Sequence, residues 1–533
     1  MNGFVRHAFV LLMASSLIAL TLVARGQSTP ATISWPEDQL LPSFAAPALM
    51  LDYLDLENVR DDERNLFVSL QGLVNREKPR IYVTNGNSVE GKTTWLRDAK
   101  LAHTRVVDPY TLISKYSSSA RGLVVYDPQQ PATINLATTL AGLSDLLVVS
   151  PALAKKLTSA PYNLLIREDL RGAYRSSLQV YQALYNKFWS RTTHRTIVGL
   201  EPSLSGYVRD YAVANRAAVV WLNARDEAEN ALLRRFLADM PASAPYLGWF
   251  PKPEGGGEQA AVNQLSSFGL SALASDYAEN LTVFSGQARV ITVKAAPPKP
   301  ALENKIYVTL IISEGDNIQY DQHHMRKLWD DPRRGQLPIG WTVSPLLRDA
   351  APGILNYYYA SATDQDNLIS GPSGAGYAYP NTMPLDKLET YTARTNDYMG
   401  ATGLQVITLW QNISGIPSDD VSAAYARNGS NILGLTNQIA SGLRWHGDLP
   451  NFGLNNSYAN TEYDLTTALR IGTAGFDGTV PRFVGLQAIA WKTSPSMLYS
   501  VWEPYSSDSK YVLVRPDHFF QLIREARKPA AKP

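Results

Sequence analysis

Seven consecutive residues, Ile306 to Ile312 (Ile-Tyr-Val-Thr-Leu-Ile-Ile), are apolar or β-branched. Such a run offers no polar side to water, so it reads as a strand buried on both faces, as in a parallel sheet covered by helices. It stops at Ser313-Glu314-Gly315-Asp316-Asn317. A glycine between two acids suits a tight turn. It also leaves Glu314 and Asp316 at the strand's carboxyl end, where parallel α/β sheets and barrels bind ligands. Further along, Gly371-Pro372-Ser373-Gly374-Ala375-Gly376-Tyr377-Ala378-Tyr379-Pro380 forms a glycine-rich loop with two tyrosines. Paired carboxylates beside aromatic rings point to carbohydrate chemistry.

At 533 residues the chain exceeds one ordinary core, so two or three domains are expected. The near balance of 49 basic and 48 acidic residues leaves no field to recruit nucleic acid or an anionic membrane. A neutral sugar polymer fits that balance better than a polyphosphate. The absence of cysteine removes disulfides, thiolate nucleophiles, cysteine zinc sites and iron–sulfur clusters. Arg6 and His7 precede an apolar stretch from Ala8 to Ala24, and Ala24-Arg25-Gly26 is a small-x-small cleavage site. Residues 1–26 therefore read as a signal peptide. The expectation is export to the periplasm, cell surface or medium, with no membrane span in the mature protein.

Residues 27–50 are rich in Pro, Ser and Ala and are expected to be loosely ordered. Residues 51–294 form an α/β region of one or two subdomains, with strand-like runs at Pro79–Thr84, Gly122–Tyr126, Leu146–Val149, Thr196–Gly199 and Ala217–Leu222. Helical spacing lies between them, at Ser177–Trp189 and Asp226–Met240 for example, which indicates parallel sheets covered by helices. The stiff run Ala295–Pro300 reads as a linker. Beyond it, residues 301–528 carry strand-like runs that end in polar residues: Ile339–Val343, Asn356–Ala360, Leu404–Leu409, Phe483–Ala490 and Tyr511–Val514. That rhythm predicts a TIM-barrel-like (β/α) domain.

The stretch Gly374-Ala375-Gly376-Tyr377-Ala378-Tyr379-Pro380 matches the signature of the GxGYxYP family of glycoside-hydrolase-like proteins. Its surroundings resemble that family as well: Ser313–Asn317, Pro338–Thr342 and Arg515-Pro516-Asp517 downstream, Leu70–Arg76 and Pro79–Tyr82 upstream. The resemblance covers nearly the whole mature chain. It implies an α/β amino-terminal portion, a TIM-barrel-like carboxyl-terminal domain and bacterial carbohydrate metabolism.

Glycoside hydrolysis uses one protonated carboxyl and one ionised carboxylate. Asp316 is the first candidate and Glu314 the second. Residues two apart on an extended chain face opposite ways, so both serve only if the turn at Gly315 redirects them. The bland alternative is that one caps the next helix or pairs with Arg326. Asp364 and Asp366, beyond the run Asn356–Ala360, are candidate partners, with turn formation as the equal alternative. Glu462, Asp464, Glu254 and Asp276 are weaker candidates. Asn317, Gly374, Gly376, Tyr377, Tyr379, Trp341 and Trp410 are candidate sugar contacts. The glycine loop lacks the Gly-Lys-Ser/Thr ending of a phosphate loop. His323 and His324, adjacent in sequence, do not share a helix face as metal ligands would, so a solvent-facing pair is expected and no metal site. No cofactor is called for, and the expected partner is a carbohydrate. Two alternatives remain: a metal-dependent polysaccharide deacetylase, in which Asp316 and a histidine share an ion, and a non-catalytic glycan-binding protein.

Overall fold

The computed structural model describes residues 34–252, 257–411, 416–438, 442–456 and 458–527. The signal-like segment and Glu254 lie outside the described residues. The amino-terminal region forms three small parallel sheets rather than one or two units. The first has the order β2-β1-β3, with β1 Leu51–Asp55, β2 Ile81–Thr84 and β3 His103–Arg105. The second has the order β5-β4-β6, with β4 Gly122–Val125, β5 Leu146–Val149 and β6 Ile166–Asp169. The third, β10-β9-β7-β8, comprises β7 Thr193–Gly199, β8 Ala217–Val220, β9 Pro245–Gly248 and β10 Ser271–Ala274. Strands such as Leu-Val-Val and Ala-Val-Val are buried throughout, as expected when helices cover both faces.

The carboxyl-terminal region holds one large curled sheet. Its strands are β11 Ile306–Ile312, β12 Ile339–Val343, β13 Asp366–Ser370, β14 Val406–Leu409, β15 Gly434–Asn437, β16 Gly442–His446, β17 Leu449–Gly453, β18 Arg482–Ala488 and β19 Tyr511–Leu513. The spatial order is β16-β17-β15-β14-β13-β12-β11-β18, parallel except for the β16–β17 hairpin. Strand β11, beside the end strand β18, is fully buried. β18 runs along the whole of one edge, while the other edge takes β19 at Ile306–Val308 and β12 at Ile311–Ile312. This wedge of β19 beneath β12 departs from the even βα alternation of a TIM barrel, and the sheet is a curled half-barrel. The carboxyl ends of its parallel strands all lie at one rim, with Glu314 and Asp316 beyond β11.

Other local expectations are corrected. Residues Asn356–Ala360 lie in the helix Pro352–Ser361, not in a strand. Pro352 occupies the first helical turn, where its missing N–H costs nothing, and Ile354, Leu355, Tyr358 and Tyr359 are buried at helical spacing. Residues 34–44 are tied down rather than loose. Leu40, Leu41 and Phe44 are buried, the Asp349 carboxylate accepts from the Leu40 and Leu41 backbone N–H groups at 3.1 and 3.2 Å, and Arg195 donates to the carbonyls of Trp35 and Gln39. Among the described residues no helix is long and apolar enough to cross a membrane.

Asp210, at the junction of the first and third sheets' helices, is fully buried and accepts from the Thr282 hydroxyl at 2.6 Å. Burial pushes its carboxyl up to about 6. The folded pKa lies above the ordinary value, so the folded state holds this proton more tightly. The resulting stability is complete below the ordinary carboxylate range and is lost as pH rises through about 6. Asp210→Asn is expected to flatten the decline in Tm over that window. Calorimetric melts across the window check this, and an unchanged decline in the variant would refute it.

Candidate active site

Two chain segments meet at the rim of the large sheet, and both are held by β10, the edge strand of the third small sheet. Residues on a strand alternate in the direction of their backbone groups. Ala272 and Ala274 therefore present theirs away from β9. Ala272 exchanges both backbone hydrogen bonds with Tyr377, each 2.7 Å, and the Ala274 N–H donates to the Asp316 carbonyl at 3.3 Å.

The turn after β11 is built by backbone packing. Gly315 donates to the Thr342 hydroxyl at 3.0 Å, and that hydroxyl donates to the Ile312 carbonyl at 2.8 Å. A Cβ on Gly315 would overlap the backbone of Thr342 and Val343, and one on Gly371 would overlap the backbone of Gly315 and Asp316. Glu314 adopts φ +85, a conformation that costs a non-glycine residue about 1–3 kcal/mol and persists only where the surroundings enforce it. The Glu314 charge acts on Asp316, and the Glu258 charge acts on both.

A third carboxylate joins them. Glu258, on the helix Gly257–Ser267, accepts from the Tyr377 hydroxyl at 2.9 Å, and the Tyr377 and Tyr379 hydroxyls lie 3.1 Å apart. Asp316 is pushed well above the carboxylate range, first by burial and then by the charges of Glu314 and Glu258. Glu314 is raised by burial, while the Trp491 indole and Ser313 hydroxyl favour its charged form. Glu258 is raised by burial against the opposing Tyr377 hydrogen bond. Among the described residues no side chain donates to the Asp316 carboxylate, only its own backbone N–H opposes the rise, and no cation joins the cluster. Tyr458 lies over it, with its hydroxyl pushed far up by burial and by all three acids, and its ring meets Trp410 edge-on at 5.5 Å. Trp491 is 43% exposed and Tyr458 37%.

The glycine loop supports this site from behind. Gly374 and Gly376 have φ +130 and +96, and a Cβ on either would strike Thr395 or Ser271. They pack against protein, not ligand. Tyr377 and Tyr379 are buried as rings and reach the cluster with their hydroxyls. Asn317 accepts from the Tyr320 N–H at 3.0 Å, opening the π-helical turn Tyr320–His324. Trp410 stands in the wall, beside Tyr458.

Other sequence candidates lie elsewhere. With 352–361 helical, Asp366 begins β13 and sits at the sheet's amino end, where it accepts from the Trp341 indole at 2.9 Å, Arg334 at 2.6 Å and the Thr363 N–H. Trp341 is accordingly a core residue, and exposed Asp364 pairs with Lys294 at 3.0 Å. Asp464 closes a capping box with Thr461 at a helix start, and Glu462 is exposed on the same turn. Arg326 pairs with Asp98 and Asp330. The two histidines do not face solvent together: His323 is buried against Glu90 at 3.0 Å, and His324 contacts the Ala490 carbonyl at 3.0 Å. Among the described residues no three His, Cys, Asp or Glu side chains are grouped to hold a metal ion. Glu258 and Tyr458 escaped the sequence reading. Glu258 follows a glycine run and carries no motif, and the pairing of β10 with the signature is what brings its helix to the site.

The fold and site define an α/β protein with a carboxylate cluster flanked by aromatic residues at a parallel-sheet rim. The chain belongs to the GxGYxYP family. Residues 304–524 match the domain described as "GxGYxYP putative glycoside hydrolase C-terminal domain". Residues 50–118, 120–192 and 194–286 match the family's first, second and third amino-terminal domains, one for each small sheet. A crystal structure described as a "putative hydrolase" from Bacteroides thetaiotaomicron VPI-5482 shares the fold, at 22% identity, TM-score 0.80, 94% of this chain and 99% of that one. A "probable Polysaccharide deacetylase" from Pseudomonas aeruginosa PAO1 overlays 43% of this chain and 95% of its own at 12% identity, and its TM-score of 0.31 carries no argument. No curated protein is a significant match.

Because Gly371 and Gly315 touch backbone to backbone, Gly371→Ala is expected to destabilise the fold by about 1–3 kcal/mol through overpacking. Thermal unfolding checks this, and a variant as stable as wild type would show that the contact is slack.

Proposed function

We propose that this protein hydrolyses a glycosidic bond of an oligo- or polysaccharide by carboxylate acid/base chemistry. The observation that carries the reading is the mutual influence of three part-buried acids, Glu314, Asp316 and Glu258, at the sheet rim, which no cation among the described residues neutralises. Charges so placed cannot all ionise together, so protons are retained. Asp316, opposed only by its own backbone N–H and raised well above the carboxylate range, is the proton-bearing acid that protonates the leaving oxygen. Glu314, faced by the Trp491 indole and Ser313 hydroxyl, is the member best able to carry charge and acts as nucleophile or base. Glu258 and its tyrosine pair hold the proton balance. Trp410, Tyr458 and Trp491 offer faces for sugar rings. The reaction so written uses no cofactor. The basic–apolar start of the sequence supports export as part of the same reading.

A broad glycan panel assayed for released reducing sugar tests this. Wild type is expected to release sugar. Asp316→Asn is expected to lose about 10²–10⁴-fold in turnover while still binding glycan, the usual contribution of a positioned acid. An active Asp316→Asn, or silence of wild type on every glycan, would overturn the proposal.

The pH profile supplies a second test. Activity should fall on the acid side as Glu314 gains a proton, above the ordinary carboxylate range, and on the alkaline side as Asp316 loses one. Glu258→Gln removes a charge that holds the Asp316 proton in place. The alkaline limb of kcat/KM should therefore move to lower pH. A limb that stays put would sever Glu258 from the acid.

A further inference from the structure

The third small sheet ends in a cleft of about 710 Å³ that the acid/base chemistry does not use. Each of its four strands sends residues there from its carboxyl end: Glu201 after β7, Trp221 and Asn223 after β8, Trp249 after β9, Asp276 and Tyr277 after β10. In open parallel sheets that end is where ligands bind. The cleft shares a wall with the carboxylate cluster. The Trp249 ring stacks on Tyr377 at 6.4 Å and 9°, and Tyr377 in turn donates to Glu258. Asp276 accepts from the Gln319 side chain at 2.8 Å, and the Tyr277 N–H donates back to it at 3.2 Å, just beyond Asn317.

We propose that this cleft is a second saccharide-binding subsite, taking a neutral sugar ring of the same chain whose bond is cut at Asp316. The inference rests on the hydrolase reading and adds a length and charge requirement to the substrate. Two partly exposed tryptophans provide flat apolar faces for the C–H side of a pyranose, and Asn223, Asp276 and Glu201 provide hydroxyl partners. A nucleotide or phosphate does not suit the site, even though parallel sheets often hold one there. The turns after β7 and β8, Leu200-Glu201-Pro202 and Trp221-Leu222-Asn223, lack a glycine-rich phosphate cradle. The walls carry Glu201, Asp226, Glu229 and Asp276 against Lys252, a balance that repels phosphates and uronates alike.

The test uses the full chain with Asp316→Asn, titrated by calorimetry with neutral gluco-, manno-, xylo- and galacto-oligosaccharides from disaccharide to hexasaccharide, and with a uronate oligomer. Affinity for at least one neutral series is expected to rise with length, and the uronate to bind more weakly. Adding Trp221→Ala should weaken the long oligomers about tenfold and spare the disaccharide, the size of one lost ring contact. Trp221→Phe, which keeps an aromatic face, should restore most of the affinity and guards against misfolding. Affinity independent of length, long-chain binding indifferent to Trp221→Ala, or no neutral oligomer bound at all would overturn the subsite. The two proposals fail separately. Length-dependent, Trp221-sensitive binding without cleavage by wild type keeps the subsite and sinks the hydrolase. Cleavage with a KM for long chains that Trp221→Ala leaves unchanged does the reverse.

Discussion

The free edge of β10 is the constraint on which the rest depends. An edge strand presents unpaired backbone groups that must be covered. Here the cover is the catalytic candidate loop and the signature loop themselves. Ala272 takes Tyr377 and Ala274 takes Asp316, two positions on one side of a strand separated by the strand's own period. Two segments far apart in sequence are thereby set in register by a third. The close contact of Gly371 with Gly315 leaves no room for either to slide. A bend as costly as that at Glu314 survives because three backbones enforce it.

The electrostatics follow from where the cations are not. Arg334 is engaged with Asp366, Arg515 with Asp517, Arg326 with Asp98, and His323 with Glu90. Among the described residues no cation faces Glu258, Glu314 and Asp316, so burial and mutual repulsion favour their protonated forms. What distinguishes them is the local donors. Glu314 has an indole and a hydroxyl, Glu258 has a phenol, and Asp316 has only its own backbone N–H.

How much of this could be read from the sequence follows the range of the interactions. Strand β11 and its terminal acids were legible because a continuous β-branched run with a turn at its end is a local signal. The signature was legible as a motif, yet its glycines proved to be packing surfaces for Thr395 and Ser271. The run Asn-Tyr-Tyr-Tyr-Ala at 356–360 looked like a strand because aromatic residues favour strands, and tertiary burial on a helical stripe overrode that preference. That one error displaced Asp364 and Asp366 to the wrong end of the sheet. Residues 34–44 looked loose because their anchors, Asp349 and Arg195, lie far along the chain. Glu258 was invisible for the same reason: its role depends on a strand pairing between two domains.

The signature is therefore best understood as a joint between domains. Its glycines admit the close approach, its backbone completes β10, and its tyrosines carry the contact through to the acids. Tyr377 has two faces in this arrangement. Its hydroxyl belongs to the carboxylate cluster, while its ring is the underside of Trp249 and so of the neighbouring cleft. The carboxyl ends of β10 and β11 converge on the same joint, and Asp276 and Gln319 meet across it. The small sheet then does more than brace the large one, because its edge pairing orders both the acid-bearing turn and the signature loop.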